Sequence, residues 1–176
     1  MPLKRTTIPR PIGSAAGILA VSLLLYSVVG ALWGLLRPAH TGTLREEGKV
    51  AIDVTMVSVE FVSFASFVIA TGLLAVIVSL GVYITSPATR GPGMLWWLIL
   101  VAAASAFSFL TVGAVTSGLL HSAGELGSLS EGDRLSIVPA LSPGIGWLAA
   151  PFMGALAYWC CALVTPDTEG EPLPIQ

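Results

Sequence analysis

The sequence is short of charge. Lysine, arginine, aspartate and glutamate together make up only 10 % of its 176 residues, against about 25 % in an ordinary soluble domain. A water-facing surface cannot be built from so few ions. The net charge is −2 and no basic run is present, which excludes nucleic acid as a partner, because nothing is available to neutralise its phosphates. Cysteine is limited to the adjacent pair Cys160 and Cys161. Neighbouring residues are badly placed for a relaxed disulfide, so both are expected as free thiols.

Catalytic signatures are missing as well. There is no Gly-x-Ser-x-Gly, no phosphate-binding glycine loop and no His-Glu-x-x-His. His40 and His121 are the two histidines and stand far apart, with Glu46, Glu47, Glu125, Glu131 and Asp133 in the same polar segments. No His-x-x-x-His or Cys-x-x-Cys spacing converges on a zinc site. These residues are read as solvated, and no catalytic residue, cofactor or metal ligand is assigned.

What the chain does have is apolar length. Hydrophobic residues make up 55 % of it, and they gather in four runs at about 12–36, 61–84, 94–120 and 145–164, between polar tails 1–11 and 165–176. Each run has 20 or more residues, enough to cross ~30 Å of hydrocarbon at 1.5 Å per residue. Membrane strands need only ~10 residues of alternating polarity, and these runs are long and apolar on every face. The expected fold is all-α: a four-helix transmembrane bundle with up-down topology, in one integral membrane domain whose first partner is the lipid bilayer.

Glu60 is the one acidic residue touching a run. A central acidic residue costs ~2.5–3.5 kcal/mol, whereas each Leu, Ile, Phe or Val returns only ~0.3–0.6. Starting the buried stretch at Phe61 avoids that cost, so Glu60 is expected at the membrane–water boundary, within a helical turn or two that projects into water. Trp33, Tyr83, Trp96, Trp97, Trp147, Tyr158 and Trp159 lie near run ends, where amphipathic rings settle at headgroup level. Tyr26 sits mid-span, so its hydroxyl should face the bundle.

The first run follows Lys4, Arg5 and Arg10. It is too long for a signal peptide and closes on no small-x-small site, so it is read as an uncleaved anchor. Basic residues divide evenly: Lys4, Arg5, Arg10 and Arg90 on the side of the termini, Arg37, Arg45, Lys49 and Arg134 on the other. The basic flank of the first helix and the free thiols, which suit a reducing compartment, favour cytoplasmic termini. The segments Arg37–Asp53 and His121–Gly144 then form outward loops.

Helices in lipid associate through small residues and a few hydrogen bonds. Gly13 and Gly17, Gly30 and Gly34, and Ala114 and Gly118 are spaced four apart, and Gly146, Ala150 and Gly154 share one face of the fourth run. Packing within the bundle is the simpler use of these faces; docking on a membrane partner or a second copy, as a homo-oligomer, is the other. Residues 85–93 form a Pro/Gly turn expected to close runs two and three into an antiparallel hairpin. Pro151 inside the fourth run predicts a static kink. Ser22, Tyr26, Ser27, Ser63, Ser66, Thr71, Ser105, Ser108 and Thr111 are mid-span hydroxyls, read as interhelical bonds or bonds to their own helix. Glu60, Tyr26 and Thr71 are the polar or boundary candidates.

The stretches Gly30-Ala-Leu-Trp-Gly-Leu-Leu-Arg-Pro38 and Ile137-Val-Pro-Ala-Leu-Ser-Pro-Gly-Ile-Gly-Trp-Leu-Ala-Ala-Pro-Phe152 resemble an uncharacterised actinobacterial family of small four-helix membrane proteins, a domain of unknown function. The resemblance implies a bacterial plasma membrane and brings no activity, ligand or site residue. Three roles follow: a non-enzymatic accessory or assembly subunit that packs laterally, as the leading expectation; a small transporter or channel subunit; and a membrane enzyme acting on a lipid-linked substrate.

Overall fold

The computed structural model describes residues 10–37, 40–44, 50–51, 56–120, 134–137 and 141–165. Four helices follow the four apolar runs: α1 (Arg10–Leu36), α2 (Met56–Thr85), α3 (Pro92–Leu120) and α4 (Ala149–Val164), the last entered through a 3-10 segment at Gly144–Leu148. All four, the last counted with its 3-10 segment as Gly144–Val164, are long and apolar enough to cross a membrane. At 1.5 Å per residue the 27 residues of α1 extend about 40 Å. Helices are the only open-ended solution here, since lipid offers no partner for a free N–H or C=O.

The distribution of side chains is the reverse of a soluble bundle. Val21, Leu24, Ile69, Leu100 and Phe107 point outward, while Ser22, Ser63, Thr71, Ser79 and Ser105 are buried. Hydrocarbon surrounds the first set at no cost, and the second set gains by finding partners inside.

Small residues decide which helices approach. A Cβ added at Gly30 would strike the backbone of Phe109, and one at Gly34 would strike the carbonyl of Gly113. Gly113 in turn lies against the Gly30 carbonyl and the Trp33 ring, each 2.8 Å from where a Cβ would be. This three-glycine crossing seats α1 on α3. A second set seats α4 on α2: a Cβ at Gly154 would meet Ser79 Oγ at 3.1 Å and Ala75 Cβ at 3.4 Å, and one at Gly146 would meet the Phe64 ring at 2.8 Å. Ala75, Ala102, Ala106 and Ala150 form a small-residue cluster that brings α3 to α4.

The resulting neighbours are α1 with α3, α2 with α4, and α3 with α4. This corrects the expected hairpin of runs two and three. The connector is short, with a 3-10 turn at Pro87–Thr89, yet α2 and α3 meet only sparsely. Connectivity alone does not make helices pack; the glycine and alanine faces point elsewhere. Large side chains hold the two close pairs apart and fill the space between them: Tyr26, Trp33, Phe67, Leu74 and Phe109 in one cluster, and Val82, Tyr83, Leu98 and Tyr158 in another.

Both inter-helix segments 37–53 and 121–144, read from sequence as loops, contribute strands. β1 (His40–Leu44), β2 (Val50–Ala51) and β3 (Arg134–Ile137) form an antiparallel sheet in the order β2-β1-β3. His40 pairs with Ile137 and Thr43 with Arg134. The sheet ties the α1–α2 connection to the α3–α4 connection on one side of the bundle, as four alternating spans require. Close seating of α1 on α3 delivers the segment after α1 near the one after α3, and pairing then satisfies their backbone groups.

Pro151 occupies the first turn of α4, with the 3-10 segment ahead of it. The expected kink within a continuous α-helix is replaced by a change of helix type before the proline. In a first turn the missing N–H has no helical acceptor to lose.

Candidate functional site

Each helix presents one buried stripe. On α2 it runs Ser63, Phe67, Thr71, Ala75 and Ser79, a residue at every fourth position. On α1 it includes Ser22, Tyr26, Gly30 and Trp33, and on α3 Leu98, Val101, Ala102, Ser105, Ala106 and Phe109. Alternating hydroxyl and apolar groups along these stripes make the bundle interior polar at mid-span.

Tyr26 and Thr71 meet there. The Tyr26 hydroxyl donates to the Thr71 carbonyl oxygen at 3.0 Å. Thr71 Oγ1 donates back along its own helix to the Phe67 carbonyl at 2.8 Å. The Ser27 and Ser108 hydroxyls share a 2.7 Å bond between α1 and α3. Trp33 Nε1 donates to Ser66 Oγ at 2.9 Å, and Ser66 donates to the Ser63 carbonyl at 3.0 Å. Thr111, exposed, bonds only its own helix at Phe107. The α1–α2 bonds therefore come from long side chains reaching across a gap that the backbones leave open. A Tyr26→Phe variant should lose about 0.6 kcal/mol of stability in a detergent-unfolding titration, the usual scale of one intramembrane hydrogen bond. The loss is small because the Thr71 carbonyl sits within a helix. A change near zero, or beyond about 2 kcal/mol, is incompatible with this bond.

Below this network lies a small enclosed space lined by Ser22, Tyr26, Ala75, Ser79, Val101, Ser105 and neighbours. Ser105 is fully buried and its Oγ has no hydrogen-bond partner among the described residues. Among the described residues, no aspartate, glutamate, lysine, arginine or histidine lines the space. Glu60 stands apart from it, exposed in the second turn of α2. Among the described residues, no three His, Cys, Asp or Glu side chains gather.

The bundle ends are built differently. At the sheet end, Arg37 is buried with its guanidinium 5.3 Å from the Trp33 ring centroid. Burial lowers its pKa from the ordinary guanidinium value, while the ring face attracts the cation. At the other end, Arg90 donates through Nε and Nη2 to the Tyr83 carbonyl, at 3.1 and 2.8 Å, and lies over the Tyr83 ring. Tyr83 packs edge-on to Tyr158, which accepts a 3.0 Å bond from the Gly91 N–H. Tyr83 also donates to Thr165 Oγ1 at 2.8 Å. These bonds fasten the α2–α3 connector to α4.

Several aromatics expected at the lipid boundary turn inward. Trp33 is buried against Phe109 and Phe67 reaches Phe109 and Trp147, with centroids 5.4 to 5.9 Å apart. Tyr83 and Tyr158 are also buried, whereas Trp96 and Trp159 face outward. Depth along a span is legible from sequence; which way a ring turns is set by the small residues opposite it.

The packing candidates divide. Gly30, Gly34, Gly146, Ala150 and Gly154 are buried within the bundle. Gly13 and Gly17 are exposed, with no atom within 4 Å of an added Cβ, and Gly118 is equally open. Buried Ser79 and Arg37 were not singled out by sequence reasoning. Ser79 carried a signal: Ser63, Thr71 and Ser79 recur every eight residues, on one face of α2. His40 lies in β1, with only its backbone described. His121, Glu46, Glu47, Glu125, Glu131 and Asp133 lie outside the described residues. Cys160 and Cys161 are free thiols.

Comparison with protein-family models, with curated proteins and with solved structures finds no match to this chain.

Proposed function

We propose that this four-span membrane protein is a non-enzymatic accessory or assembly subunit that packs laterally against another membrane helix. One observation carries the reading. Gly13, Ala16, Gly17 and Ala20 share a face of α1 and are all exposed. Spacings of three and four place them side by side on a helix. The same residue class at Gly30, Gly34 and Gly113 is used up in seating α1 on α3, so the first half of α1 retains an unused surface for close approach. In lipid such a surface is what brings helices together, because burial of apolar area gains nothing there.

Residence in a bacterial plasma membrane rests on the resemblance of the Gly30–Pro38 and Ile137–Phe152 stretches. Cytoplasmic termini rest on the basic flank of α1 and the free thiols. With the termini inside, the open face of α1 lies in the cytoplasmic half of the bilayer.

The test is purification from native membranes in mild detergent. A companion protein, or a second copy, should be recovered in fixed stoichiometry. A Gly13→Leu/Gly17→Leu variant should reduce that recovery about tenfold, a loss of ~1.4 kcal/mol. Gly81→Leu, on α2 and also open, should leave it unchanged. A protein recovered alone, or a complex indifferent to the α1 substitutions, removes this reading.

A further inference from the structure

We propose that the mid-span cavity is an internal hydration site: one water molecule, hydrogen-bonded to Ser105 Oγ, joins α1, α2 and α3 at the centre of the bundle. The cavity is about 10 Å³. On this measure, the volume open to a water's centre, roughly 10–15 Å³ holds a single water. Four hydroxyl-bearing residues are among its lining, Ser22 and Tyr26 from α1, Ser79 from α2 and Ser105 from α3, set between Ala75, Val78, Leu98, Val101 and Ala102. A buried water needs two to four polar partners, and Ser22, Ser79 and Ser105 carry the hydroxyls within reach of this otherwise apolar lining.

The second observation is the orphaned hydroxyl. Ser105 is 0 % exposed and its Oγ meets no partner among the described residues. Many intramembrane serines answer this by bonding back to a carbonyl of their own helix, as Ser27 does to Leu23 at 2.7 Å. Ser105 does not, and it is among the residues that border the cavity. A buried hydroxyl left without a partner costs about 1–3 kcal/mol, so the site favours a molecule that both donates and accepts.

The lining also selects against an ion. Among the described residues no acidic or basic side chain borders the cavity, and a bare charge there carries a desolvation penalty that no described group offsets. An apolar ligand would leave the hydroxyls unpaired, and one water fills the volume. The position explains the need. α2 and α3 meet only sparsely, and the cavity lies where α2 and α3 stand apart, between Ser79 and Ser105. The inference is independent of lateral assembly, since the lining residues are buried inside one copy.

A crystal structure of the full chain grown from a lipid mesophase tests it. One solvent peak is expected within about 3.2 Å of Ser105 Oγ and of at least one further lining hydroxyl. The peak should be lost in Ser105→Val, whose methyls fill the space and remove the donor. An empty wild-type cavity overturns the proposal. So does a peak with the contacts or scattering of a metal ion, or one that persists in the valine variant. If that variant fails to fold, the wild-type map alone decides.

Discussion

Replacing Gly34 with alanine lowers the stability of the bundle by about 3 kcal/mol, the upper end of what a single overpacked position costs. The added methyl is driven into the Gly113 carbonyl, and the carbon and Cα of the same residue are 3.0 Å away. A flexible side chain could swing aside from such a contact. The backbone of α3, held by its own helical bonds, cannot move without displacing Phe109 and Trp33, which are tilted against each other nearby. Gly30→Ala has the same character, because Phe109 Cα lies 2.8 Å from the new Cβ. Alanine at Gly13 or Gly17 meets nothing within 4 Å, and each should change stability by no more than about 0.5 kcal/mol. The measurement is an unfolding titration in mixed micelles, read by tryptophan fluorescence. Equal midpoints for the two glycine pairs would show that α1 and α3 do not cross here.

Truncating Phe67 to alanine costs about 2–3 kcal/mol in the same titration. Phe67 is fully buried and joins the two close helix pairs, with its ring edge-on to Phe109 on one side and Trp147 on the other. In a soluble core a Phe→Ala change costs 3–5 kcal/mol, part of it the lost transfer from water and part the cavity left behind. A membrane helix that separates from its bundle meets lipid instead of water. The transfer part then largely vanishes, and the packing and cavity part remains. Ile69, on the same helix but 67 % exposed, gives the contrast: Ile69→Ala exchanges one lipid contact for another and should be close to neutral. A large loss at Ile69 with none at Phe67 would mean that the helix is rotated from its place here.

The sequence by itself determined the number of spans, their limits and the character of their surroundings. These follow from a one-dimensional quantity, the length of chain that can enter hydrocarbon without carrying a charge into it. The boundary of α2 is a direct instance. The helix begins at Met56 and its candidate span runs from Glu60 to Thr85; the cost of carrying a carboxylate into hydrocarbon is the sequence's reason for expecting lipid to stop beside Glu60. The inward turn of the Tyr26 hydroxyl followed from the same reasoning, since lipid has no acceptor.

Only the tertiary structure decided which helices touch. The runs are apolar over most of their surface, so beyond the recurring hydroxyls of α2 polarity does little to mark an inner side. The choice falls to close fit: glycine against a backbone carbonyl seats α1 on α3, and glycine and alanine seat α4 on α2. That choice leaves α2 and α3 apart despite their short connector, and it turns Trp33 inward. It also brings Ser22, Tyr26, Ser79 and Ser105 from three helices to one small space. Complementarity of shape is a property of two surfaces at once, and one strand of sequence shows only one of them.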